Sequence, residues 1–287
     1  MNAVLVASDL DRTLIYSAKA FFLEVPDHLA PDMVVVELYQ GVPISFMTRT
    51  AEQLLLELTR TAIFVPVTTR TEAQYRRVRL PGAVPEYAVT TNGGVLLKNG
   101  EPDIEWQTSV GQRVSEGSAP LAVIEEFLSR EAYRSWILRL RRAEELFLYS
   151  IVDRELMPAE FVRELDAWCA SLGWTVSVQG RKLYCVPHAV TKNSAVAEVA
   201  RRTGASRVIA AGDSLLDGPM LDEADVAFRP SHGELADVDF RREHLRVTDA
   251  RGILAGEEIS RRIHALVQGG ASQVKPRSVL PAAFERA

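Results

Sequence analysis

Two aspartates separated by one residue can hold a hard divalent cation and also carry covalent or proton-transfer chemistry. Asp9-Leu10-Asp11-Arg12-Thr13 offers such a pair directly after an apolar run, residues 3–8. That run has strand length and no polar alternation until its end, as expected of a strand buried on both faces in a parallel sheet. Ligands of open parallel sheets bind at the carboxyl ends of strands. Three further segments put reactive side chains at comparable points. Thr68 follows the apolar run 63–67, Lys192 opens a helix, and Asp213 and Asp217 follow the apolar run 207–211. The helix dipole disfavours a lysine at a helix start, so that position calls for another reason. Each feature has an ordinary alternative: Thr68 as a helix cap, Lys192 as a solvated side chain, Asp213 as a turn former. Their order, each at a strand end or helix start, favours one shared site.

The elements that must position these residues alternate. Residues 34–39 and 42–47 flank Gln40-Gly41 as a hairpin. Thr50 and Gln53 have capping-box spacing ahead of a helix striped by Leu54, Leu55 and Leu58, and Thr71 with Gln74 repeats that spacing. Strands are expected at 63–67, 87–90 and 207–211, with a helix at 192–203 stopped by Gly204. This alternation implies right-handed crossovers and a Rossmann-like three-layer α/β core with a parallel sheet. Between the halves the rhythm changes. A short hairpin after 95, helices at 121–130 and 159–172, and strands at 147–152, 175–179 and 182–186 read as an α+β unit, with 132–145 unassigned. The expected organisation is a discontinuous core, 1–94 and 188–267, an inserted cap domain, 95–187, and a loosely held tail, 268–287.

The ordered motif set resembles the haloacid dehalogenase superfamily of phosphohydrolases: an aspartate pair after strand one, a Ser or Thr after strand two, a lysine, and GDxxxD. Asp9, Asp11, Thr13, Thr68, Lys192, Asp213 and Asp217 match it position by position. An insert between the hydroxyl and lysine motifs, opening at Asn92-Gly93-Gly94, resembles the subgroup with a C2-type α/β cap. Residues 66–71 are similar to mannosyl-3-phosphoglycerate phosphatases, and the layout also suits sucrose-phosphate phosphatases. Leu216 stands where the subgroup often has Asn, with Ser214 as a substitute polar contact, and Thr69 stands where Gly or Ser is common.

The resemblance implies a magnesium-dependent phosphohydrolase. Asp9 would attack phosphorus and become an aspartyl phosphate. Asp11 would serve as general acid and then base, in surroundings favouring its neutral form more than those of Asp9 do. Asp9, the Asp11 main-chain carbonyl and Asp213 would ligate Mg2+, and Asp217 would support that shell or orient Lys192. Thr68 and Lys192, with the Leu10 and Thr69 amides, would hold phosphoryl oxygens, while Thr13 fixes the loop. A phosphomutase using the same intermediate and a catalytically silent binding protein of the same fold are the rivals; retention of every charged motif residue speaks against the silent protein, and release of free phosphate rather than an isomeric product separates hydrolase from mutase.

The cap underside should select the substrate, a small phosphorylated metabolite of the sugar phosphate or phosphoglycerate type. Candidate contacts there are Arg141, Arg142, Ser177, Gln179, Arg181 and Lys182, with Asn92 at the junction. Trp106, Trp136, Trp168 and Trp174 are expected in the cap core. A net charge of -5 over 287 residues argues against nucleic acid and anionic membrane as partners. The opening apolar run is too short for a signal-peptide core and no basic residue precedes it. With only Cys169 and Cys185, neither a disulfide framework nor a zinc cluster is available, and the expected compartment is the cytoplasm.

Overall fold

In the computed structural model, which describes residues 3–82 and 84–269, β1 (Val4–Asp9) runs through the centre of the largest sheet. The hairpin β2 (Met33–Tyr39) and β3 (Val42–Thr48) follows, turned at Gln40-Gly41 where both residues have positive φ. Helix α1 (Arg49–Thr61) is capped by the Thr48 hydroxyl, which accepts the Ala51 amide. The cap therefore lies two residues ahead of the expected Thr50–Gln53 pair: Thr48 closes β3 in extended backbone, the conformation an N-cap requires. After β4 (Ile63–Val67), the short helix α2 (Glu72–Tyr75) carries the Thr71–Gln74 capping box that the spacing predicts.

Strand β5 (Tyr87–Thr90) is followed by β6 (Val95–Lys98) and β7 (Glu101–Pro102). These last two pair antiparallel onto β5, so the hairpin assigned to the insert is part of the core sheet, which reaches Pro102. Val95, Leu96 and Leu97 are all buried, and that apolar run belongs to a sheet covered on both faces.

Helices α3 (Ile104–Gly117) and α4 (Leu121–Leu128) lead into a second, antiparallel sheet. It comprises β8 (Ile137–Ala143), β9 (Phe147–Val152), β10 (Trp174–Gln179) and β11 (Lys182–Pro187), in the order β10-β11-β9-β8. Helix α5 (Phe161–Ser171) packs against it with α4. Trp136 and Trp174 are buried in this core and Trp168 stacks on Phe127, whereas Trp106, expected here too, is buried beside the core strand β6 with its Nε1 donating to the Gly93 carbonyl at 2.9 Å.

The chain then returns through α6 (Lys192–Thr203), β12 (Arg207–Ala211), α7 (Gly218–Glu223), β13 (Val226–Arg229), α8 (Glu234–Asp237), β14 (Leu245–Val247) and α9 (Ile253–Gln268). The large sheet has the order β14-β13-β12-β1-β4-β5-β6-β7, with every pairing from β14 to β5 parallel. Leu5 and Ala7 pack on one face with Val196 and Val199 of α6, whereas Val6 packs on the other with Leu55 of α1 and Ile259 of α9. This is the three-layer sandwich. Helix α9 occupies most of the end of the core, and the expected tail beyond Gly269 lies outside the described residues. Among the described residues no helix is long and apolar enough to cross a membrane.

Candidate active site

The site begins with strand order. Asp9 pairs with Val67 on one side and Ser8 with Ala211 on the other, so Asp9, Thr68 and Asp213 leave three adjacent strands at one edge. The first residue of α6 faces the same point. Lys192 is 1% exposed, and its Nζ lies 2.6 Å from Asp9 Oδ1 and 2.6 Å from Asp217 Oδ1. Burial alone would lower its pKa; the Asp217 and Asp9 carboxylates more than reverse that and keep it cationic.

Asp217 organises the turn. Its Oδ2 accepts the Asp213 amide at 3.1 Å, the Ser214 amide at 2.9 Å and the Ser214 hydroxyl at 2.7 Å, while Oδ1 takes Lys192. Four donors occupy most of what a carboxylate can accept, which leaves Asp217 to support its neighbours. Ser214 supplies the polar contacts, and Leu216 turns into the core. Gly212 permits the approach, since a Cβ there would sit 2.4 Å from the Asp217 Cβ. At Gly233, φ +94, a Cβ would lie 2.6 Å from the Asp213 main-chain oxygen and from its Oδ2.

Asp213 by contrast accepts no hydrogen bond on its carboxylate from the described residues, and its nearest cation, Arg12 Nε, is 3.8 Å away. Asp9, Asp213 and Asp217 each offer an oxygen within 4.8 Å of the others. Burial raises the Asp9 pKa to about 7, with Asp217 adding and Lys192 opposing. Burial, then Asp9 and Asp217, drives Asp213 well above the usual carboxylate range. Three buried carboxylates around one ammonium leave surplus negative charge, and a hard divalent cation fits it. Asp9 and Asp213 have the oxygens to spare, and the Asp11 main-chain carbonyl accepts no hydrogen bond among the described residues.

Asp11 departs from expectation. The Arg70 guanidinium grips it with two bonds, Nε to Oδ2 at 2.6 Å and Nη2 to Oδ1 at 2.8 Å. Burial would raise the Asp11 pKa, but Arg70 overrides it and holds the group at about 2. The expected order is thus reversed: Asp9 is the group whose neutral form is favoured, because it is buried with like charges, and Asp11 is ionised. Arg70 reaches on to the fully buried Glu37 at 2.7 Å, which Ser45 and Arg77 also bind. A register shift at Glu37 in the β2–β3 hairpin accompanies this inward placement. Arg70 stands two residues after Thr68, in the very run that marks the strand end, but nothing in its type or spacing tells a clamp from a surface arginine.

The remaining candidates separate. Thr68 is buried, accepts the Arg70 amide at 3.1 Å and keeps its own proton to give. The Leu10 and Thr69 amides have no acceptor among the described residues. Thr13 is fully buried, and its carbonyl accepts the Tyr16 hydroxyl. Gln179, Arg181 and Lys182 of the β10–β11 hairpin line a cleft of about 870 Å³ together with Asp11 and Asp213. Arg141 and Arg142 do not line it: Arg142 is tied to Glu125 and Glu145 on the outside of the cap. Nor does Asn92, whose Nδ2 instead donates to Val190 O at 2.9 Å and straps the two chain crossings together. Arg139, in the stretch left unassigned, lines the cleft instead. Glu234 was also missed; its carboxylate accepts the Ser177 hydroxyl at 2.8 Å, the Val178 amide at 2.7 Å and the Leu215 amide at 3.1 Å, fastening cap to core.

The sequence matches no protein-family model and no curated protein. The fold does have neighbours among solved structures, several of them described as phosphatases or as haloacid dehalogenase-like. A haloacid dehalogenase-like hydrolase from B. subtilis superposes with a TM-score of 0.53 at 12% identity, covering 92% of this chain and 98% of its own. The sucrose-phosphatase of Synechocystis sp. PCC6803, solved with sucrose and phosphate, superposes at 0.65 with 14% identity, covering 92% and 98%. A trehalose-6-phosphate phosphatase related protein gives 0.52 at 18%, covering 93% and 99%. At these identities the likeness establishes the fold.

Proposed function

We propose that this protein is a magnesium-dependent phosphohydrolase acting on a small phosphorylated metabolite through an aspartyl-phosphate on Asp9. The observation that carries the reading is the buried Lys192 bonded to Asp9 beside an Asp213 carboxylate that accepts no hydrogen bond among the described residues, at the floor of a cleft that the cap roofs. A phosphate ester resists hydrolysis because an anion must approach an anion, so the site has to neutralise charge and hold the reacting atoms in line. Mg2+ held by Asp9, Asp213 and the Asp11 carbonyl would supply positive charge to the phosphoryl oxygens. Lys192, the Thr68 hydroxyl and the Leu10 and Thr69 amides would donate to those oxygens. With Lys192 on Oδ1, the Asp9 carboxylate has its second oxygen for the attack on phosphorus.

Asp11, ionised in the Arg70 clamp, is suited as it stands to the basic half of its role, taking a proton from the water that opens the acyl phosphate. The acid half requires the clamp to loosen when substrate enters. Purified protein should release phosphate from small esters with magnesium and stop with chelator. Asp9→Asn should abolish both turnover and covalently trapped phosphate. Full turnover in that variant, or in verified metal-free protein, would refute the assignment.

A further inference from the structure

The cap sheet presents one cross-strand row to the cleft. Gln179 pairs with Lys182, Lys182 with Ile151, and Ile151 with Arg139, which aligns four side chains on neighbouring strands. All four line the cleft, joined by Arg181 at the hairpin turn and Lys19 on the loop after β1. Lys19, Arg139, Arg181 and Lys182 thus surround one opening, and none of them is in an ion pair among the described residues. Arg142 shows the usual fate of a surface arginine here, held between two glutamates. Among the described residues the only carboxylates lining the cleft are Asp11 and Asp213, both on the catalytic floor, and Arg70 already occupies Asp11.

A chain with net charge -5 has no general excess of cations, so four unneutralised ones around one opening need a partner. Lysine and arginine only donate, whereas an uncharged sugar hydroxyl needs acceptors as well as donors. Charge-assisted contacts to an anion use both the donors and the charge.

We propose that the substrate is a phosphate monoester carrying a second anionic group, carboxylate or phosphate, at the end remote from the reacting phosphoryl, and that Arg139, Arg181, Lys182 and Lys19 bind that group. This rests on the phosphohydrolase reading and narrows its substrate class. Ile151 and Leu138 provide apolar wall between the charges.

The test compares kcat/KM for matched esters with magnesium. One arm sets 3-phosphoglycerate against glycerol 3-phosphate; the other sets fructose 1,6-bisphosphate against fructose 6-phosphate. The acidic ester should win by about ten-fold or more in at least one arm, and the winning arm identifies the anion. The R139A/R181A double variant should cut that ratio by about ten-fold or more, and R139E/R181E should take it below one. Ratios near one in both arms, or a ratio the variants leave unchanged, overturn the proposal. If no ester releases phosphate, the phosphohydrolase reading has failed, and charge recognition is read from calorimetric titration with 3-phosphonopropionate against propylphosphonate. Equal binding of that pair overturns the second-anion site too; tighter binding of the carboxylated one, lost in R139E/R181E, upholds the site.

Discussion

Lys192 sits among three buried carboxylates that one ammonium does not balance. Without metal, its ammonium is, among the described residues, the one fully buried positive charge against Asp9, Asp213 and Asp217. Lys192→Met should therefore cost metal-free protein about 3–5 kcal/mol, the cost of leaving buried charges unpaired. Asp213→Asn should do the opposite and raise the metal-free melting temperature, since it removes one of three like charges. Magnesium should raise the wild-type melting temperature by mass action and raise that of Asp213→Asn far less. Melts of the three proteins with and without magnesium decide this, and an undiminished magnesium shift in Asp213→Asn would remove Asp213 from the metal site. A second residue, His232, sets the acid limit. Gly252 donates its amide to Nδ1, so Nε2 carries the proton and donates to the Arg12 carbonyl at 3.0 Å, under the loop that follows β1. Burial drives its pKa from 6.5 down to about 4. The folded state prefers the neutral ring, so its contribution is complete above pH 6.5 and is lost as pH falls toward 4. Comparing unfolding free energies of wild type and His232→Gln across that window should show the wild type losing more stability; a constant difference would show that the ring does not titrate there.

Backbone approach matters as much at the level of elements. Gly93 has φ +97 and a Cβ there would lie 2.1 Å from the Thr191 carbonyl, immediately ahead of Lys192. Gly93→Ala should cost on the order of 3 kcal/mol and displace Lys192, so that turnover falls with stability. Gly180→Ala is the control: φ is +58 but nothing lies within 4 Å, so only the conformational cost of about 1 kcal/mol remains. If both variants melt alike, contact with Thr191 is not what Gly93 provides. The contrast also explains what could be read in advance. Strands β1, β4 and β12 were legible because each is built on an apolar run, and α2 because its cap and third residue are close in sequence; β13 and β14 went unassigned because they are only four and three residues long and carry Arg229 and Arg246. The start of α1 was misplaced because Thr48 and Thr50 have the same chemistry, and only strand β3 decides between them. Strand β8 was invisible because Arg139, Arg141 and Arg142 break its apolar pattern; one of them faces the cleft and another the outer glutamates. Motif carboxylates declared themselves by order along the chain, whereas Arg70, Glu37 and Glu234 act through partners tens of residues away.

Across the whole molecule, cap and core are joined by two covalent crossings and by polar fastenings at the cleft. Glu234 ties the β10–β11 hairpin to the turn that carries Asp217, and Gln74 of α2 meets Tyr149 of the cap sheet at 3.3 Å. Glu234→Ala should free the hairpin, lower kcat/KM for the best substrate by about ten-fold and speed proteolysis between the domains. Limited proteolysis with and without substrate measures it; unchanged cleavage would show that other contacts hold the cap.

The position of β1 also has a consequence for biosynthesis. Its two partners, β4 and β12, lie on opposite sides of the cap in sequence, and Asp9 and Lys192 are 183 residues apart. A ribosome therefore completes the entire cap, which is built from local antiparallel pairs, before the second neighbour of the first strand exists. Until then, Val4–Asp9 presents an apolar, unpaired edge, the kind of surface on which nascent chains aggregate. The cluster of Asp9, Lys192 and Asp213 is consequently among the last parts of the protein to form. Chains released after the cap but before β12 should pellet with chaperones, while full-length chains refold through an early, catalytically silent species with an ordered cap. Pulse-labelled hydrogen exchange during refolding would show β9–β11 amides protected before those of β1, and simultaneous protection would contradict that order.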